Sequence, residues 1–247
     1  MAFTRDKWGF STPLLSPLYP KPPYHYVQAQ SAMVMYEMDE KELAALVPEP
    51  LVPVSNKCIA FIGGGGKVGT GLGAYWEAGV WPVVRYKEWF GAFECLLYLD
   101  SELGICAGRE IYGMEKKLAN LKMYQQQNIV KGELERVGTR LMSLSVSLEE
   151  PAKEADLKDL EFTKDGVFSI KVIPSPEEGQ PPEVCELVLT KTQITKLHGF
   201  WKGTAGLCFP EPTDVDPLYK FAPKRVIGGY YGIMDAVLPF GKIVYRY

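Results

Sequence analysis

Cys58-Ile59-Ala60-Phe61-Ile62-Gly63-Gly64-Gly65-Gly66-Lys67-Val68-Gly69 is the stretch on which the fold turns. It joins a short apolar strand to a glycine run, and Gly64 to Gly69 formally match GxGxxG. A dinucleotide fingerprint needs a helix directly after the glycines, so that the pyrophosphate meets the helix N-terminus. Here the chain continues Ala74-Tyr75-Trp76-Glu77-Ala78-Gly79-Val80-Trp81-Pro82, which is aromatic, punctuated by Gly and halted by Pro. The P-loop pattern also fails, because Lys67 is followed by Val68 rather than Ser or Thr. The glycines therefore read as a turn between strands, and the parallel βαβ class gives way to an antiparallel one.

The flanking sequence carries the same rhythm. Strand-like runs are expected over Tyr24 to Met38, Leu72 to Tyr86, Phe90 to Leu99, Ile129 to Leu148, Val167 to Ile173, Val184 to His198, Arg225 to Leu238 and Lys242 to Tyr247. Gly91, Gly104, Gly132, Gly138, Gly166 and Gly199 punctuate them at short intervals, as in a sandwich or barrel. The clearest helix follows Asp39, which can cap it with Glu42 three residues on, and Pro48 ends it. Residues 1–23, rich in Pro and Ser, read as an extended arm, and Glu149 to Asp165 as a solvated connection. No boundary divides residues 1–247, so a single domain is expected.

Composition narrows the partners. The net charge of −3 without a basic block argues against nucleic acid. No run approaches the ~18 apolar residues of a membrane span, and the N-terminus lacks a signal-like apolar stretch. The five cysteines are widely spaced with no CxxC, which fits reduced thiols in the cytoplasm. The two histidines, His25 and His198, have no second ligand at metal spacing, so no catalytic metal is expected.

One cluster stands out chemically. The apolar run Phe93-Glu94-Cys95-Leu96-Leu97-Tyr98-Leu99 suits a buried strand, and after it come Gly108-Arg109-Glu110 and the pair Lys116-Lys117. Together with Ser11-Thr12-Pro13-Leu14, Ser16-Pro17, Pro23-Tyr24, Val47-Pro48-Glu49-Pro50-Leu51, Gly71-Leu72-Gly73, Tyr75, Glu77, Tyr98-Leu99-Asp100, Lys116-Lys117-Leu118, Cys185-Glu186-Leu187, Asp235, Leu238-Pro239 and Tyr245, this ordered set resembles the acetoacetate decarboxylase family nearly end to end. The resemblance implies a mainly β (α+β) fold with few short helices. Its antiparallel sheets would close into a cone-like β-barrel around the pocket, in a homo-oligomer. It implies that Lys116 forms an imine with a keto substrate, that Lys117, Glu77, Arg109 and Glu110 complete the catalytic set, and that no cofactor is used.

An amine attacks a carbonyl only when unprotonated, and at the reference lysine pKa of about 10.4 roughly 0.04% is neutral at pH 7. Burial or a neighbouring cation can correct this, and acetoacetate decarboxylase is the standard illustration of such activation. If residues 115–117 are extended, Lys117 and Glu115 point away from Lys116, which leaves burial as the expected cause. The protonated imine then serves as the electron sink for loss of CO₂.

The chain also departs from the family pattern. Where the family carries a pocket arginine this chain has Ala29, flanked by Gln28 and Gln30, and a second pocket glutamate falls near Phe61 or Ile62. Glu115 replaces the usual Pro, and Ala119-Asn120-Leu121-Lys122 replaces the usual Gly-Tyr-Pro-Lys. Gln28, Ala29, Phe61, Met114, Tyr230 and Tyr231 form the expected substrate-contacting set, with Glu77 and one of the two tyrosines as candidate proton carriers. The leading expectation is a carbon–carbon lyase that decarboxylates a β-keto acid larger or less charged than acetoacetate. The alternatives are an aldolase-dehydratase condensing pyruvate with an aldehyde, and a non-catalytic ligand-binding barrel.

Overall fold

The computed structural model describes residues 2–65, 67–68, 71–153, 156, 160 and 164–247. Gly66 and Gly69 of the formal GxGxxG, and part of the connection 149–165, lie outside the described residues. In chain order the strands are β1 (Tyr24–Glu37), β2 (Val52–Gly64), β3 (Lys67–Val68), β4 (Trp76–Tyr86), β5 (Trp89–Phe93), β6 (Leu96–Leu99), β7 (Lys116–Leu118), β8 (Asn120–Gln126), β9 (Ile129–Arg136), β10 (Thr139–Ser147), β11 (Glu150–Pro151), β12 (Val167–Ile173), β13 (Val184–Thr190), β14 (Gln193–Gly203), β15 (Ala205–Cys208), β16 (Arg225–Leu238) and β17 (Lys242–Arg246). Helix α1 spans Glu40–Leu46 and α2 spans Glu102–Ala107. The Asp39 carboxylate caps α1 by accepting from the Lys41 and Glu42 amides at 2.9 and 3.3 Å, as the sequence predicts.

Among the described residues the strands form two sheets. The large one runs β11-β14-β16-β1-β2-β4-β5-β12-β13-β17, with β3, β6 and β7 attached beside it, and the small one runs β15-β10-β9-β8. Neighbouring pairs are antiparallel except β5–β12 and β6–β7. The chain is thus mainly β with short helices, but the strand path has two ends, β11 and β17, and the expected closure into a barrel is not seen. The cause lies in β4, which exchanges partners along its length. Its second half pairs with β5 and its first half with β6, so the ladder branches instead of continuing around.

Strand alternation divides the large sheet into two faces. Ala32, Val34 and Tyr36 of β1, Ala60 and Ile62 of β2, Ala78 and Val80 of β4, and Tyr98 of β6 face one core, which they share with Leu134, Met142 and Leu144 of the small sheet. Met33 and Met35, Ile59 and Phe61, Val83, and Leu97 and Leu99 point to the other side, into a second cluster with Tyr75, Met114 and Phe200. Burial on both faces explains why these strands read as near-continuous apolar runs.

Two irregularities place the site. The expected single run Phe90 to Leu99 breaks after Phe93, where the Cys95 amide turns back to the Phe93 carbonyl at 3.1 Å. After α2 the chain makes a π-helical turn over Gly108–Tyr112 that ends at Gly113 with φ +79°. π-Turns recur at functional sites. Gly113 is constrained twice, since a Cβ there would also lie 2.4 Å from the Lys171 backbone. Gly113→Ala is expected to lower unfolding stability by roughly 1–3 kcal/mol, measured by urea denaturation.

Candidate active site

A cavity of ≈ 560 Å³ opens on the second face of the large sheet. Its walls are mostly apolar: Met33, Phe61, Trp81, Met114, Phe200 and Met234 line it, with Ala29, Gln30, Glu77, Glu94 and Lys116 among them. Phe61 and Trp81 lie against each other with ring centroids 4.2 Å apart.

Lys116 begins β7, which pairs in parallel with β6 so that Lys116 sits beside Leu97. It is 5% exposed, and its Nζ lies 3.4 Å from Glu77 Oε2. Glu77 reaches the same wall from β4, whose first residue is fastened where the Trp76 amide donates to Asp100 Oδ1 at 2.8 Å. The Lys116 Nζ also stands 6.0 Å from the Tyr75 ring centroid. The hydroxyls of Tyr75 and Tyr26 are 2.8 Å apart, and both lie on the cavity wall. Burial pushes both phenols well above their ordinary range, and the Glu77 charge adds to it, so both stay neutral at physiological pH.

The run around the lysine is built to hold it. A Cβ on Gly108 would lie 2.6 Å from Lys116 Cδ and 3.0 Å from Nζ, so the lysine side chain occupies the space that only a glycine leaves. Arg109 Nη1 donates to the Lys116 carbonyl at 3.3 Å. Glu110 accepts a short hydrogen bond from Tyr19 of the N-terminal arm. Arg109 and Glu110 are exposed and absent from the cavity wall, because the π-turn directs both outward. Lys117 is likewise outside the cavity. Alternation along β7 turns it to the opposite face, where its Nζ donates to Asp216 Oδ1 at 2.8 Å and to the Val215 carbonyl at 2.6 Å. Burial would raise the Asp216 carboxyl, but Lys117 and Arg136 hold it below the usual carboxylate range. The sequence-based catalytic set is therefore split: Lys116 and Glu77 meet, while Lys117, Arg109 and Glu110 brace the scaffold.

The expected substrate-contacting set divides too. Ala29, Phe61 and Met114 are on the wall. Gln28 is exposed at a bulge of β1, with φ 54° and its amide donating to Asp235 Oδ1 at 2.8 Å. Tyr230 stands behind the wall, stacked on Phe200 with centroids 5.5 Å apart. Tyr231 is absent from the wall and donates to Gln30 Oε1 at 2.7 Å, and Gln30 is the member of this pair that lines the cavity.

Glu94 was not anticipated as a site residue. It sits at the break between β5 and β6, is 4% exposed and lines the cavity. Its Oε2 has no hydrogen-bond partner. Burial pushes the carboxyl up to about 8, against the lowering influence of Lys116. The signal was present in the sequence as a lone charge in the apolar run Phe90 to Leu99. Glu115 differs. Burial brings its carboxyl to about 7, with Arg109 and Lys117 opposing, and it is not on the cavity wall.

Two outcomes follow from this geometry. Gly108→Ala forces the Lys116 side chain to move by about an ångström, which should slow any reaction of its amine roughly 100-fold. Timed modification of Lys116 read by mass spectrometry checks this. Glu94 binds its proton more tightly folded than unfolded, so its contribution to stability is complete below pH ~4.5 and is lost as pH rises through about 8. Glu94→Gln, which cannot ionise, should gain melting temperature relative to the parent between pH 5 and pH 9, and a constant difference would contradict the burial effect.

Comparisons with known proteins give the family and the fold. The family model described as acetoacetate decarboxylase (ADC) matches residues 11–247. Acetoacetate decarboxylase of Burkholderia vietnamiensis (strain G4 / LMG 22486) is 30% identical over 240 residues, covering 97% of this chain and 95% of the relative. The crystal structure of acetoacetate decarboxylase from Legionella pneumophila superposes with a TM-score of 0.87 at 27% identity, covering 98% of this chain and 95% of that one. The enduracididine biosynthesis enzyme MppR, complexed with the condensation product of pyruvate and imidazole 4-carboxaldehyde, superposes with a TM-score of 0.82 over the full length of both chains, a likeness of fold alone at 18% identity. The chain belongs to the acetoacetate decarboxylase family.

Proposed function

We infer that this protein is a Schiff-base lyase that decarboxylates a β-keto acid carrying a larger apolar or aromatic tail than acetoacetate. The observation that carries this reading is the Lys116 amine, buried beside Glu77 at the wall of a largely apolar cavity. The substrate ketone condenses with that amine and loses water. In the protonated imine the carbon–carbon bond to the carboxylate then breaks, CO₂ leaves, and the electron pair becomes the enamine double bond while the C=N π pair moves onto the nitrogen. Protonation of carbon and hydrolysis release the ketone.

The cavity size supports the tail. A volume of ≈ 560 Å³ lies within the roughly 300–1,000 Å³ that holds drug-sized ligands, far more than a four-carbon acid fills. The cations on the wall, among the described residues, are Lys116 and the exposed Lys191, with no arginine. A substrate carboxylate bound there meets little to stabilise it, and an apolar surrounding favours its departure as neutral CO₂. We take the chain as one cytoplasmic domain that assembles as a homo-oligomer, in keeping with its family resemblance.

A second reading, condensation of pyruvate with an aldehyde, draws on the shared fold of MppR. Borohydride reduction in the presence of a keto acid should add the substrate's mass irreversibly at Lys116, and Lys116→Arg should remove the adduct. An unlabelled Lys116 in the parent protein would sink both readings. Between them, CO₂ release from β-keto acids is weighed against ultraviolet growth of a conjugated product from pyruvate and an aromatic aldehyde. For decarboxylation, kcat/KM should rise about fourfold for each tail methylene that is buried.

A further inference from the structure

Among the described residues two carboxyl side chains are buried, Glu94 and Asp216. Asp216 is fully engaged, by Lys117, Arg136 and Tyr98. Glu94 lies on the cavity wall with Lys116 and Glu77, and its Oε2 has no partner. A buried polar atom left unsatisfied in a native site calls for an explanation, and a catalytic role is one of the few available. Glu77 is engaged with the Lys116 amine at 3.4 Å, and Tyr26 and Tyr75 with each other at 2.8 Å. Trp81 Nε1 and Thr190 Oγ1 on this wall are also without partners, but an indole and an alcohol are not acids near neutral pH, so the uncommitted acid among the described wall residues is Glu94.

We propose that Glu94 is the proton donor of this site, giving its carboxyl proton to the carbon of the enamine held on Lys116. The proposal rests on the Schiff-base reading above and adds to it the acid that reading lacks. The step balances simply. After CO₂ leaves, the enamine carbon takes the proton from Glu94, the enamine becomes an iminium, and Glu94 is left as the carboxylate. Water hydrolyses the iminium to the ketone and the Lys116 amine, and Glu94 regains a proton from solvent, matching the one proton that decarboxylation of a carboxylate consumes. Burial supports the assignment, because it holds the carboxyl protonated up to about pH 8. Two carboxyls in unlike surroundings, one paired with the amine and one dry and neutral, are a common division between charge stabiliser and acid.

The reverse of the same transfer gives a test that needs no knowledge of the natural substrate. Acetone and 2-butanone form the same imine, and exchange of their α-hydrogens in D₂O, followed by NMR, reads proton transfer alone. The parent protein and Glu94→Gln should give the same borohydride adduct at Lys116, while exchange in Glu94→Gln falls roughly 100-fold or more. Glu94→Asp should recover part of the loss. Glu94→Leu, which fills the site with an apolar side chain, should behave as Glu94→Gln does and covers the case where one variant fails to fold. Exchange that survives in Glu94→Gln or Glu94→Leu overturns the proposal, as does loss of the adduct in those variants, which would place Glu94 in imine formation. A parent protein that forms the adduct but exchanges nothing overturns it as well. A parent protein that forms no adduct overturns the Schiff-base reading itself, and this assignment with it.

Discussion

The burial of one amine organises this protein. Lys116 is 5% exposed, lies over the missing side chain of Gly108 and meets Glu77 at 3.4 Å. A charged or polar group kept from water is tolerated only where geometry supplies partners, and much of the local structure does so. The π-turn ends at a glycine and lets the chain double back, Arg109 steadies the Lys116 carbonyl, and β6 gives β7 a parallel neighbour. Tyr98 on β6 and Asp100 just after it tie down Asp216 and the start of β4. The densest motifs of the family are thus largely the supports of a single side chain.

The second organising feature is a sheet buried on both faces. One face of β1, β2, β4 and β6 packs on the small sheet, and the other carries the cavity. Lys116 and Lys117 fall on opposite sides of that division. The same alternation that brings Lys116 into the cavity sends Lys117 to the buried Asp216 carboxylate. An adjacent lysine pair is therefore divided between the cavity wall, where Lys116 meets Glu77, and an anchoring ion pair, where Lys117 meets Asp216. Glu94 enters the cavity through a different device, the kink between β5 and β6 that interrupts strand pairing. A carboxyl on a regular strand there would be directed by the pleat. At the kink it becomes a wall residue with an oxygen left free.

The mainly β class and the capped helix after Asp39 were legible in the residue pattern, and the family resemblance singled out Lys116 and Glu77 as candidates, whose contact at 3.4 Å appears only in the fold. These readings depend on short-range patterns: period-two burial, cap chemistry, and an ordered motif set at matching spacing. The sequence also led to the lysine pointing away from Lys117, since alternation needs only an extended backbone. Contacts between segments distant in the chain supply the rest. The open strand path, in place of a closed barrel, follows from β4 changing partners, a long-range pairing that no local pattern encodes. The outward turn of Arg109 and Glu110, the retreat of Tyr230 behind Phe200, and the arrival of Glu94, Gln30, Tyr26 and Tyr75 at the cavity all depend on where strands distant in sequence meet. A residue's type announces what chemistry it can do. Whether it does so is set by what surrounds it, and those neighbours are brought together only when the whole sheet is folded.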